Sequence, residues 1–324
     1  MSRRWASFAL LALLIVCAAG VSAQTDAPIG TLNAGELRAL TISDDQRYLL
    51  VADAAREQVR AYDLARLSAP SLITTLTVEG RPLALASGEG FILAAVRSSF
   101  SPSTLEVIVP ARYQPGSVLT AGGNFVDLPF VAESLVLSGD RRFGLAIGET
   151  GFVLLDLRAA DVIDARTFDI QVDAAALTTD RLIYAQGTGI ATLLLDGLNT
   201  ARPTAVVDAG SPVRALAASQ DGRLIAAALE NGTIRLLDPV TLATRASTSL
   251  PGVSLLTFST VSDAPRLVAG VDGERTLTVF TVTADSLTRQ PAALSLPRPV
   301  SAIAAFDDHI AATDGTTIAF FALR

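Results

Sequence analysis

Pro212-Val213-Arg214-Ala215-Leu216-Ala217-Ala218-Ser219 is followed by Gln220-Asp221-Gly222, Arg223-Leu224-Ile225-Ala226-Ala227-Ala228-Leu229, Glu230-Asn231-Gly232 and Thr233-Ile234-Arg235-Leu236-Leu237-Asp238. The three longer runs read as strands and the two short breaks as turns. Asp-Gly and Asn-Gly are hairpin signals, because a type I′ turn needs positive φ at both central positions. Three antiparallel strands in a row are therefore expected from Pro212 to Asp238.

The unit recurs. Aligning its first strand on the residue that matches Ser219 gives Ser43, Ser87, Ser138, Thr179, Ser219, Ser259 and Phe306, with spacings of 44, 51, 41, 40, 40 and 47 residues. Repeats of this length made of short strands are the signature of a β-propeller. The second strands are apolar runs, such as Tyr48-Leu49-Leu50-Val51 and Leu182-Ile183-Tyr184-Ala185. A continuous apolar run of strand length belongs to a strand covered on both faces, as when blades stack around a ring. The expected fold is all-β: a seven-bladed propeller of four-stranded antiparallel blades, in one domain over residues 24–324. The last blade runs out of chain before its outer strand. Ile29-Gly30-Thr31-Leu32 resembles the outer strands Leu72 to Val78 and Thr244 to Leu250, and is expected to pair with Thr317 to Leu323 and close the ring.

The third strands Val59-Arg60-Ala61-Tyr62-Asp63, Val153-Leu154-Leu155-Asp156, Thr192-Leu193-Leu194-Leu195-Asp196 and Ile234-Arg235-Leu236-Leu237-Asp238 end in an aromatic or aliphatic residue and Asp. In this they resemble WD-type repeats. Blades two, six and seven end instead in Ile108-Val109, Phe280-Thr281 and Phe321-Ala322, and the Gly-His dipeptide of that family is missing. The chain is similar to the divergent bacterial WD-repeat-like and YVTN-like propellers rather than to the eukaryotic type. That resemblance implies a lactonase-like hydrolase as the alternative to a non-catalytic binding scaffold, the reading favoured where a sequence carries no catalytic constellation.

Residues 1–23 stand apart. Arg3 and Arg4 precede an apolar run from Trp5 to Gly20, and Val21-Ser22-Ala23 places small residues at the −3 and −1 positions of a signal-peptidase site. Export is expected, to the periplasm or the outside of the cell. An uncleaved anchor is the competing reading, because the run reaches about the minimum length for a bilayer span. Leu14-Ile15-Val16-Cys17 resembles a lipoprotein box with Val in place of a small residue before the cysteine, so lipidation of Cys17 is disfavoured. Ser2-Arg3-Arg4 resembles the start of a twin-arginine signal, but Ala6 and Ser7 occupy positions that call for bulk. Beyond the signal the chain has neither Cys nor Trp, and it has no Lys anywhere. Disulfides, thiolate metal sites, cysteine nucleophiles and Schiff-base lysines are thereby excluded from the mature part. The formal charge of −7 becomes −9 without Arg3 and Arg4. Such an acidic surface repels phosphate backbones and argues against nucleic acid as a partner.

Candidates for chemistry are few. No Gly-x-Ser-x-Gly elbow is present, and the single histidine, His309, lies in Asp307-Asp308-His309-Ile310, where the repeat needs a turn. Asp44-Asp45, Asp272-Gly273-Glu274 and Asp314-Gly315 could supply oxygens to calcium, yet each also falls at a turn. No cofactor or metal is expected, and the chain is expected to be a monomer. One constellation remains, where the first strands begin at one mouth of the channel: Arg38, Arg81, Glu133, Asp173, Arg214 and Arg298. Arginines with a few carboxylates could hold a small anionic ligand by paired hydrogen bonds. Ala111 to Asn124, the largest insertion, is the expected protein-contact loop.

Overall fold

The structure, a computed structural model, describes residues 25–88, 90–98, 103–108, 117–120, 125–158, 161–195, 203–259 and 265–323. Residues 1–24, with the expected signal, and most of the Ala111 to Asn124 insertion lie outside these. In the segment that sets the repeat, Val213–Ala218, Ile225–Leu229 and Thr233–Leu237 are strands, and Thr244–Ser249 adds a fourth. They are hydrogen-bonded in that order and run antiparallel. Six further sheets on this plan make seven blades among the described residues. Their first strands are Leu37–Ile42, Arg81–Gly88, Ala132–Leu137, Ala174–Leu177, Val213–Ala218, Val253–Phe258 and Ala302–Phe306. Each lies at a sheet edge beside the first strands of the neighbouring blades, and the seventh lies against the first, so that together they ring a central channel.

Three of the serines that mark the repeat, Ser43, Ser138 and Ser219, work as turn brackets. Ser219 Oγ donates to Asp221 Oδ1 at 2.6 Å and accepts from the Leu224 N–H at 3.0 Å. Ser43 with Asp45 and Tyr48, and Ser138 with Asp140 and Phe143, repeat this arrangement. In blade four the bracket is Thr178, not Thr179: its hydroxyl donates to Asp180 and its N–H to the Arg181 carbonyl. That turn is shorter, which moves the matching residue back by one. The hairpins also differ from the expected type I′. Gly222 and Gly232 have φ of 68° and 83°, whereas Asp221 and Asn231 are not among the positive-φ residues. The N–H groups of Gly222 and Gly232 reach back three residues to the carbonyls of Ser219 and Leu229. The second is a three-residue turn that ends on a left-handed glycine, a glycine-bulge closure, and the first is a four-residue turn, 220–223, with its left-handed glycine in third place.

Seven separate apolar clusters fill the seven gaps between blades. Second strands feed two clusters at once. Leu49 and Val51 point into the gap between blades seven and one, and Leu50 and Ala52 into that between one and two. Ile225, Ala227 and Leu229 face blade four, while Ala226 and Ala228 face blade six. This alternation is why the runs are continuously apolar; burying one such Leu or Val contributes roughly 1.5–3 kcal/mol. First strands share the pattern, with Leu135 and Leu137 packed toward blade two and Val136 toward blade four. Their free backbone edges, without a strand partner, therefore face the channel.

The ring closes at the anticipated place. Gly30–Asn33 pairs antiparallel with Thr317–Ala322, in the register Gly30 to Phe320 and Asn33 to Thr317. Two added strands were not legible in the repeat. Thr25–Asp26 runs parallel to the outer strand of blade six, and Ser117–Thr120, from the blade-two insertion, runs parallel to Ser71–Thr77 of blade one. Each gives its blade a fifth strand and covers part of an exposed edge.

Candidate functional site

The channel has a front mouth, where the first strands begin, and a back mouth, where they end. Second strands run the opposite way, so the turns that follow them also rise at the front. Three cavities of about 610, 470 and 340 Å³ succeed one another from front to back, sharing Ser134, Ala175, Leu216 and Leu256 at one junction and Leu135, Arg141, Gln220 and Ile303 at the next.

At the front, Arg38 of blade one and Arg81 of blade two meet on one carboxylate. Arg38 Nη2 lies 3.2 Å and Arg81 Nη2 3.4 Å from Glu36 Oε1. All three side chains are about half exposed, at 54%, 50% and 49%. Glu36 sits in the turn that enters blade one; its carbonyl accepts from the Ala54 N–H, so its backbone is held while its side chain reaches across to the next blade. Arg214 pairs with Glu230 within blade five. Arg298 acts on Asp314 of blade seven: burial raises that carboxyl, but the N–H groups of Thr317 and Thr316, the Thr316 hydroxyl and the Arg298 charge together hold it below the usual carboxylate value. Glu133 and Asp173, from blades three and four, line the 610 Å³ cavity with Glu149. Asp173 Oδ2 accepts from the Gly187 N–H at 2.6 Å.

The six residues read from the sequence thus share one mouth in three arrangements: a two-arginine corner around Glu36, the Arg214–Glu230 ion pair with Arg298 acting on Asp314 through its charge, and a carboxylate-lined wall. Glu36 and Glu149 were missed. Glu36 stands two residues before Arg38, but nothing in the sequence announces that Arg81, 45 residues on, shares its carboxylate.

The back mouth is crossed by turns. Arg141 of blade three donates to Asp44 of blade one at 3.2 Å, passing over blade two, where Gly88 stands in register with Phe91. The backbone at Gly139 comes so near the Gln220 carbonyl that a Cβ there would lie 2.9 Å from it. Gln46 Oε1 accepts from the Asp307 N–H at 2.7 Å, joining blades one and seven.

His309 starts the second strand of blade seven, opposite Phe306 across a tight turn. Its Nδ1 is 2.6 Å from Asp308 Oδ1, its ring stacks on Phe306, and it lines none of the three cavities. Asp45 and Asp314 are engaged by hydroxyl and N–H groups of their own turns.

No protein-family model matches the chain, and no curated protein matches it in sequence. Solved structures do match in shape. The chain is similar to the Cps50 (Swd1) β-propeller domain of Myceliophteria thermophila, with 13% identity and a TM-score of 0.69 over 91% of this chain and 99% of that one. It is also similar to KlHsv2 with loop 6CD replaced by a Gly-Ser linker, with 14% identity and a TM-score of 0.63 over 86% and 89% of the two chains. The protein is a seven-bladed β-propeller.

Proposed function

We propose that this propeller is a non-catalytic scaffold, exported from a bacterial cell through the signal at residues 1–23, that binds a protein or a small anionic ligand at its front mouth. It would belong with the divergent WD-like and YVTN-like propellers and act as a monomer. The observation that carries the reading is the convergence of Arg38 and Arg81, from adjacent blades, on a single carboxylate. Guanidinium groups held on rigid strands and still half exposed are suited to recognising carboxylate or phosphate. Arg214 and Arg298 extend the cationic set around the rim, and the wall of Glu133 and Asp173 repels an anion placed the wrong way round.

A panel of small anions and acidic peptides, titrated into the mature protein and into an Arg38→Ala/Arg214→Ala variant of unchanged circular dichroism, tests this. Saturable anion binding weakened in the variant supports it; unchanged binding in the variant contradicts it, and turnover of a lactone would overturn the non-catalytic reading. Export is tested separately by N-terminal sequencing of the secreted protein, which should begin at Gln24.

A further inference from the structure

We propose that the Arg38 and Arg81 pair is a carboxylate site and that Glu36 is its built-in competitor, occupying the site until a ligand carboxylate displaces it. This rests on the front-mouth reading above and goes further, to the ligand class and to its regulation. A carboxylate lies against both guanidinium groups, and it belongs to the protein.

It is held poorly. Both contacts fall on Oε1, at 3.2 and 3.4 Å, longer than the roughly 2.7–2.9 Å usual for charge-assisted hydrogen bonds. Arginine recognises a carboxylate best through two parallel N–H bonds to its two oxygens, and Glu36 makes this fork with neither partner. A carboxylate free of the main chain can turn to do so. Exposed pairs of this kind add little net stability, so opening the contact is easy. The Glu36 backbone stays where it is, because its carbonyl and the following Leu37 N–H are both bonded, the latter to the Gly315 carbonyl at 2.8 Å. Displacement is therefore a side-chain rotation. Asp53, fully buried, holds Arg56 and Arg60 at 2.9 Å each, and this fixes the floor of blade one beside the site.

A competitor built into the site lowers apparent affinity by the fraction of molecules in which it is seated. Removing its charge should tighten binding, whereas loss of an ordinary ligand contact would weaken it. The test is calorimetric titration of succinate, inorganic phosphate and an acetylated tetraglutamate peptide into the full mature chain, into Glu36→Gln, and into Arg38→Gln/Arg81→Gln with and without Glu36→Gln. Equal melting temperatures for Glu36→Gln and the wild type serve as the folding control. If Glu36 is seated about nine-tenths of the time, Glu36→Gln binds succinate about tenfold more tightly than the wild type. Binding should be lost whenever both arginines are replaced.

Unchanged or weaker binding by Glu36→Gln overturns the competitor, while wild-type binding that still needs the two arginines leaves the front-mouth reading standing. Equal affinity with and without the arginines overturns both. Phosphate binding tighter than succinate binding overturns the carboxylate class. Succinate bound without the peptide identifies a free acid as the natural source, and peptide bound at least as well identifies a protein side chain; either supports the site.

Discussion

Leu32 lies in register with Ile318, so residues 286 positions apart in the chain share one blade. The pairing is framed by the Ile29 N–H donating to the Phe320 carbonyl at 2.7 Å and the Ala34 N–H to the Thr316 carbonyl at 3.1 Å. Without it the third strand of blade seven would be a bare edge, and the gap between blades seven and one would lose Leu32 from its apolar cluster.

Deleting residues 26–33 should therefore lower the melting temperature sharply. Leu32→Asp, which places a charge against that cluster, should cost roughly 1–3 kcal/mol and lower it by several degrees. Thermal unfolding followed by circular dichroism reads both, and unchanged melting of the deletion would refute the closure.

The turn brackets make a second prediction. Ser219→Ala leaves the Leu224 N–H without its acceptor and takes from Asp221 one of its donors, the Arg223 N–H remaining, and should cost roughly 1–3 kcal/mol. Thr179→Ala, beside the true bracket Thr178, should cost almost nothing, while Thr178→Ala, which loses the donation to Asp180 but leaves no N–H without an acceptor, should cost more than Thr179→Ala and less than Ser219→Ala. Denaturant midpoints distinguish the pair.

Two left-handed residues should respond in opposite directions to the same change. Glu57 and Leu242 have φ of 55° and 58°. Glu57 is exposed, so Glu57→Gly relieves a left-handed strain of about 1–2 kcal/mol against an entropic loss of about 0.5–1 kcal/mol, and melting should rise slightly. Leu242 is buried in the cluster between blades four and five, so Leu242→Gly should cost roughly 2–5 kcal/mol.

Asp238, at the end of a third strand, shows how much the repeat depends on its closing aspartate. Hydrogen bonds from the Thr241 N–H first, then from Arg245, and also from Val240 and the Thr241 hydroxyl, outweigh burial and bring its carboxyl down to about 2. A group depressed by folding adds stability above its unfolded value, near 3.8, and loses it as pH falls toward the folded value. Asp238→Asn should accordingly be less stable than the wild type at neutral pH, and the difference should shrink from pH 4 to pH 2. A gap that stays constant over that range would contradict the assignment.

Much of the fold was legible because it is repetitive and local. The alternation of Leu49, Leu50, Val51 and Ala52 between two gaps is written in one apolar run, and the strand at Gly30–Asn33 follows from the missing partner of the last blade. What escaped depends on contacts between distant turns or on backbone angles. Asp221 and Asn231 mark hairpins correctly, but which residue takes positive φ is decided by the length of the loop around them. The parallel strand at Ser117–Thr120 sits on a neighbouring blade, outside any pattern of its own repeat. At the candidate site, position in the repeat brought six charged residues to one mouth, while Glu230 and Asp314, carried on later turns of the same blades, and the sharing of Glu36 between two blades became visible only in the folded ring.

The central claim, that the front mouth binds through Arg38 and Arg81, is tested most directly by titrating succinate at low ionic strength into the wild type and the Arg38→Gln/Arg81→Gln variant, where exposed charges are least screened. The account predicts saturable binding to the wild type and none to the variant. Equal affinity in the two proteins, or no saturable binding to the wild type, would contradict it.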